Sequence, residues 1–139
     1  MNGNDFLELM LKSPLHGFMG NTLLITVTGR KTGRKIAVPV NYYRVMDELW
    51  VLTTRSRQWW RNVNGGAEVD LVLNGKKLKG FAEAILDRSA VAARLGDYVR
   101  SLPMSAGVLG VGMEHGVPNR EDTARVAEER LFVKICLTP

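Results

Sequence analysis

At 139 residues and 15.5 kDa the chain is expected to fold as one domain spanning 1–139, long enough to bury a real core. A hydrophobic fraction of 45% and a charged fraction of 24% are those of an ordinary soluble globular protein, and the net charge of +5 favours an acidic partner: nucleic acid, an anionic cofactor or a membrane surface. No apolar run reaches the roughly 20 residues of a membrane span, the N-terminus lacks a signal-peptide pattern, and the single Cys136 excludes an intrachain disulfide or a multi-cysteine metal site, which fits a reducing cytoplasm.

Asp5 can cap a short helix carrying Phe6, Leu9 and Met10, ended by Ser13-Pro14, and His16-Gly17 leads into a first strand over 22–28. A second strand is expected over 35–45, a turn at Met46-Asp47-Glu48, and a third strand over 49–54. Arg55 to Gln58 form a polar loop entering a short helix at Trp59-Trp60-Arg61-Asn62-Val63, which stops at Gly65-Gly66. Val69 to Leu73, Asn74-Gly75 and Lys76 to Leu86 make the clearest hairpin. Asp87 caps a helix with Val91, Leu95, Tyr98 and Leu102 on one face. Residues 103–119, rich in glycine and bracketed by Pro103 and Pro118, are expected as a long loop. A short helix over 121–128 and a last strand near 130–137, with Cys136 as a buried thiol, complete the chain. The order of elements predicts an α+β barrel of antiparallel strands with flanking helices.

The chemistry concentrates in Gly29-Arg30-Lys31-Thr32-Gly33-Arg34-Lys35. A hairpin turn needs one or two residues tolerant of positive φ, not four clustered cations, which repel one another without an anion between them. The turn reads either as a phosphate or polycarboxylate site or as a solvated basic tip. Arg55 and Arg57 close the third strand, and pairing of strands two and three brings them towards the same end of the sheet. Of the adjacent Trp59 and Trp60, one is expected in the core and the other on a pocket wall. Pro39 cannot complete a ladder, so its strand is either an edge or bulged, leaving the amides of Val40 and Asn41 free. His16 and His115 lack any ligand spacing, so no metal site is expected, and Ser56 and Ser105 lack a nucleophile context. Any hard chemistry then belongs to a bound cofactor.

Thr28 to Arg34, then Val38-Pro39-Val40-Asn41-Tyr42, then Trp59-Trp60-Arg61-Asn62 resembles the deazaflavin-dependent nitroreductase family, of the flavin-binding split β-barrel group that includes pyridoxamine-phosphate oxidases. The resemblance implies a split-barrel oxidoreductase in which reduced deazaflavin (coenzyme F420) delivers hydride to a small unsaturated, quinone-like or nitro acceptor, with FMN as the alternative cofactor. It implies that Arg30, Lys31, Thr32, Gly33 and Arg34 bind the phosphate tail, and that Val38, Pro39, Val40 and Asn41 border the ring. It also assigns further phosphate and ribityl contacts to Thr53, Thr54, Arg55, Ser56 and Arg57, with Trp59, Trp60 and Asn62 completing the site. Trp60 and Tyr42 would shape the substrate side. The segment before Trp59-Trp60 is shorter than in better-known relatives, and 103–119 is longer.

Other readings are a non-catalytic flavin or tetrapyrrole binder, and a small barrel that binds single-stranded nucleic acid. Nucleic acid is disfavoured because the cations gather at loop ends rather than along a strand face. The expected partners are a small-molecule substrate and a second copy of the chain in a homodimer.

Overall fold

Leu23, Ile25 and Val27 are almost free of solvent contact and recur at every second position, a period of two that specifies a strand with one face in a core, while Leu24 is also buried. This strand, β1 (Thr22–Thr28), opens the computed structural model, which describes residues 22–138. The helix expected from Asp5 and the His16-Gly17 step lie outside the described residues. There follow β2 (Lys35–Val45), β3 (Glu48–Thr54), a 3-10 helix (Trp59–Val63), β4 (Ala67–Leu73) and β5 (Lys76–Ile85). The chain continues through α1 (Arg88–Ser101), α2 (Pro103–Leu109), the short strands β6 (Met113–Glu114) and β7 (Val117–Pro118), α3 (Arg120–Glu129) and β8 (Arg130–Leu137).

The long strands close into an antiparallel barrel in the order β1-β2-β3-β8-β5-β4. The α+β barrel expected from the sequence is the fold observed. Two cores share its sheet. Inside, Ile25, Leu71, Leu49, Val51, Val133 and Ile135 are fully or almost fully buried. On the outer face Tyr43, Trp50 and Phe132 pack beneath α1, where the Tyr98 ring lies 5.1 Å from Tyr43 and 5.9 Å from Phe132. Arg94 of α1 covers the Trp50 ring at 4.2 Å. The Tyr43 hydroxyl and Trp50 Nε1 are buried without a hydrogen-bond partner among the described residues. Burial pushes the Tyr43 phenol up to about 12, and the nearby Arg94 charge only partly opposes this.

Two expectations are corrected. Residues 103–119 are not a long loop but α2 and the β6–β7 hairpin. Pro103 occupies the first turn of α2, where an N–H has no partner to lose, and Gly110 ends that helix at φ 74. The next turn is held by Asp122, which accepts from Gly112 N–H at 2.8 Å and from Arg125 Nη1 at 2.9 Å. The Gly112 bond above all draws the Asp122 carboxyl below its usual range. Cys136 is exposed rather than buried, because β8 turns Leu131, Val133 and Ile135 inward and Cys136 outward, with its Sγ 3.8 Å from Glu48 Oε2. Among the described residues no helix is long and apolar enough to cross a membrane, and no group of His, Cys, Asp and Glu is placed to hold a metal.

Candidate active site

The ladder between β2 and β3 is shorter than the strands that form it. It runs from Val45 opposite Glu48 to Tyr42 opposite Val51 and stops, although both strands continue. On its other flank β2 stays paired with β1, from Asn41 opposite Thr22 to Lys35 opposite Thr28. The barrel is therefore closed in strand order but split along the first half of β2.

Alternation decides which backbone groups face that split. Gly29 N–H donates to Arg34 C=O at 2.8 Å, so in the same register Val27 with Ile36, Ile25 with Val38, and Leu23 with Val40 are the hydrogen-bonded pairs. The backbone polar groups of Ala37, Pro39 and Asn41 point the other way, into the split. Pro39 brings no N–H to be left unpaired there, which explains a proline in the middle of a barrel strand. β2 is thus neither a sheet edge nor bulged; it is an interior strand with one open flank. Asn41 presents its N–H to the split, whereas Val40 N–H is used by β1, a correction to the expectation that both are free.

A cavity of about 300 Å³ fills the split. Val38, Pro39, Val40 and Asn41 form its β2 wall, and Leu52, Thr53, Arg57 and Trp59 the wall that continues from β3. Tyr98 of α1 with Ser105, Val108 and Leu109 of α2 close it from above, and Arg130 stands where β8 begins. Burial raises the Tyr98 phenol above its ordinary range, with the Arg130 charge opposing, so the hydroxyl stays a neutral donor near pH 7. Tyr98, Ser105, Val108, Leu109, Leu52 and Arg130 were not singled out from the sequence as site residues. A signal existed for α2: Pro103 at a helix start and Gly110 just past its end bracket a helix.

The basic hairpin is docked beside this cavity. Asn62 Oδ1 accepts from Arg30 N–H at 3.1 Å and Asn62 Nδ2 donates to Trp59 C=O at 3.2 Å, while the Arg30 guanidinium donates to Asn64 C=O. Thr32 Oγ1 accepts from Arg34 N–H at 3.2 Å, and Gly33 at φ 72 supplies the left-handed step of the turn. Asn62 and Arg30 thus clamp the turn onto the 3-10 helix, and Lys31 and Arg34 project from it without a partner among the described residues. Lys35 Nζ donates to Thr28 Oγ1 at 2.9 Å.

A match to the family model described as F420H(2)-dependent quinone reductase covers residues 13–105, more than half of the chain. The chain belongs to that family. It is therefore an oxidoreductase whose cofactor is the reduced deazaflavin F420H2. Solved structures share the fold at low identity. A pyridoxamine 5'-phosphate oxidase-like protein of Listeria innocua superposes at TM-score 0.55 and 9% identity, over 98% of this chain and 93% of that one. The general stress FMN/FAD binding protein of Xanthomonas citri does so at TM-score 0.52 and 15% identity, over 86% and 76%. The heme storage protein HutZ of Vibrio cholerae matches at TM-score 0.52 and 13% identity, over 93% and 91%. No curated protein matches the sequence.

Measured against the needs of an F420H2-dependent quinone reductase, three expected residues have other work. Arg55 is committed to backbone: Nη2 donates to Leu86 C=O at 2.9 Å and to Ala127 C=O at 3.0 Å, near the carbonyl end of α3. Burial pulls its pKa below the ordinary arginine value, with the Arg88 charge adding to the shift. Arg55→Met should therefore cost about 1.5–3 kcal/mol of stability in thermal or denaturant unfolding, because charge-assisted bonds to two carbonyls are lost. It should leave the salt dependence of cofactor binding unchanged; a flattened salt dependence would return Arg55 to the phosphate site. Trp60 does not line the cavity. Both tryptophans are 5% exposed, but Trp60 turns its Nε1 to Arg55 C=O at 3.3 Å and is covered by Arg61 at 4.9 Å, and Trp59 is the pocket wall. Tyr42 pairs with Val51 and follows the inward face of the barrel, so it does not line the cavity either. Thr54 and Ser56 share a hydroxyl contact at 3.4 Å just outside it.

The remaining residues fit a deazaflavin. The open flank of β2 offers the Asn41 N–H and the Pro39 C=O along one edge, a donor and an acceptor suited to the polar edge of a pyrimidine-like ring. Val38, Leu52 and Trp59 supply apolar surface beside it. Arg57 stands on the cavity wall, with Lys31 and Arg34 on the docked turn, suited to an anionic tail. A volume of about 300 Å³ is at the lower end of the roughly 300–1,000 Å³ typical of small-molecule sites.

Proposed function

We propose that the chain reduces a flat, quinone-like acceptor in the split between β2 and β3, with nitroaromatic compounds as a second acceptor class of the same shape. The observation that carries this reading is the open flank of β2, where an apolar slot with unpaired backbone donors and acceptors adjoins a docked cationic turn. The bound cofactor supplies a hydride when reduced. The chain's own residues bind, orient and exclude water. Lys31, Arg34 and Arg57 hold the phosphate tail. The Asn41 N–H and Pro39 C=O fix the ring edge, with Trp59 against one side of it. Val38, Leu52 and Leu109 keep water from the reacting face. The α1–α2 wall, rather than Tyr42 and Trp60, forms the acceptor side.

The test is a fluorescence titration with oxidised F420 in parallel with FMN, followed by an anaerobic assay of reduced F420 with a naphthoquinone and a nitroaromatic acceptor. Tight F420 binding, weak FMN binding and quinone-dependent reoxidation are expected. Tighter binding of FMN, or reoxidation that no acceptor accelerates, would overturn the reading.

A further inference from the structure

Arg130 is a cation that the barrel leaves unused. It stands at the start of β8 opposite Thr54 and lines the cavity, yet its guanidinium has no carboxylate within ion-pair distance and no hydrogen-bond partner among the described residues. The described chain pairs Arg88 with Glu128, Arg125 with Asp122, and Arg94 and Arg100 with Asp97. Tyr98 shares the cavity wall with Arg130 and is electrostatically coupled to it; only 3% of Tyr98 is exposed, and its hydroxyl likewise donates to nothing among the described residues. Neither donor is sealed from solvent: the Tyr98 hydroxyl and the Arg130 guanidinium both stay open to the cavity, so two donors without an internal acceptor converge there and can serve a ligand that supplies one.

The position of the pair selects the ligand. The polar edge of the ring is met across the cavity by the open flank of β2, and the tail by Lys31, Arg34 and Arg57. Arg130 and Tyr98 come from β8 and α1, under the α2 cover, which is the acceptor side. We propose that Arg130 and Tyr98 form an oxyanion-binding pair that contacts the acceptor's oxygen and makes the site selective for acceptors whose reduction places negative charge on oxygen. This inference rests on the acceptor site described under Proposed function.

The chemistry balances without a further reactant. The acceptor gains a C–H or O–H bond and two electrons from the hydride, F420H2 is oxidised to F420 and releases its second proton, and the anionic oxygen of the reduced acceptor later takes up one proton from water. While that charge exists, Arg130 donates charge-assisted hydrogen bonds to it and Tyr98 donates a neutral one. Neither donor is consumed. Donors fixed before the charge develops contribute most to the rate, because nothing need reorganise as it forms.

Arg130→Gln should lower kcat/KM for a naphthoquinone by about 100-fold, and Tyr98→Phe by about 10-fold or more, as for loss of one preorganised donor. Arg130→Lys should restore part of the Gln variant's loss. The F420 dissociation constant of each variant, measured by fluorescence, should stay within about twofold of the parent, which also shows that the variants fold. Wild-type turnover in both variants would overturn the pair. A kinetic loss matched by an equal loss of F420 affinity would overturn its assignment to the acceptor and give it to the cofactor.

A second measurement does not depend on turnover. Para-nitrophenol bound to the cofactor-loaded protein should ionise at a lower pH than in free solution, read from its phenolate absorbance, and the shift should vanish in Arg130→Gln. An unshifted titration in the parent protein would overturn the pair. A shifted titration in a protein that reduces no quinone would support the pair and defeat the proposed acceptor reaction instead.

Discussion

Replacing Phe132 by alanine should lower the unfolding free energy by about 3–5 kcal/mol, the range for truncating a fully buried aromatic residue. Phe132 has no solvent exposure and is the ring on which the outer core converges: Tyr43, Trp50 and Tyr98 lie 6.2, 5.8 and 5.9 Å from it. Its loss opens a cavity between the sheet and α1 that the rigid barrel cannot collapse, and it removes edge-to-face contacts worth about 0.5–1.5 kcal/mol each beyond the area they bury. Because Tyr98 also lines the acceptor side of the cavity, the same change should lower kcat/KM for a naphthoquinone at temperatures where the protein is still folded. Urea unfolding monitored by tryptophan fluorescence, with a quinone reduction assay well below the midpoint, checks both effects. A loss below about 1 kcal/mol would show that α1 settles onto the sheet without this ring.

Removing Lys31, Arg34 and Arg57 together, each to alanine, should raise the F420 dissociation constant by about 1,000-fold or more, since each charge-assisted contact to a phosphate is worth about 1.5–3 kcal/mol. None of the three has an internal ion pair among the described residues, so unfolding stability should change by less than about 0.5 kcal/mol. The parent protein should lose F420 affinity as salt is raised, and the triple variant should be nearly indifferent to it. Affinity retained within about tenfold, or an unchanged salt dependence, would show that the turn serves some other anion. Arg30 is left out of the set because its backbone N–H and guanidinium dock the turn onto the 3-10 helix. Its removal would mix a change in turn position with a change in charge.

The barrel strands were legible because each is a short apolar-rich run, alternating in β4 and near-continuous in β3 and β8, bounded by turn chemistry. Thr22–Thr28 and Lys35–Val45 fall where the alternation of Leu23, Ile25 and Val27 and the Gly29–Gly33 turn put them. The site was legible as chemistry but not as geometry. Sequence shows that Arg55 and Arg57 are both cations; only the tertiary fold, which sets the end of α3 beside Leu86, sends Arg55 to the carbonyls of Leu86 and Ala127 and leaves Arg57 to the cavity. Trp59 and Trp60 are adjacent, and the phase of a 3-10 turn, which separates neighbours by about 120°, decides which one reaches the pocket. The α2 wall was hidden by glycine content: Gly107 and Gly110 read as loop, although Gly107 lies within the helix and Gly110 caps it. Arg130 carried no local signal at all. Its place on the cavity comes from register, opposite Thr54 where β8 begins.

The open flank of β2 has a consequence for handling the protein. A run of backbone donors and acceptors that no neighbouring strand pairs is a template for adding a foreign strand, a route by which sheet proteins self-associate. Two residues of this segment blunt that hazard: Pro39 withholds a donor from the middle of the run and Lys35 places a charge at its start. The cofactor ring would cover what remains. Solubility and catalysis then depend on the same stretch of main chain, so keeping F420 present through purification should suppress aggregation as well as preserve activity.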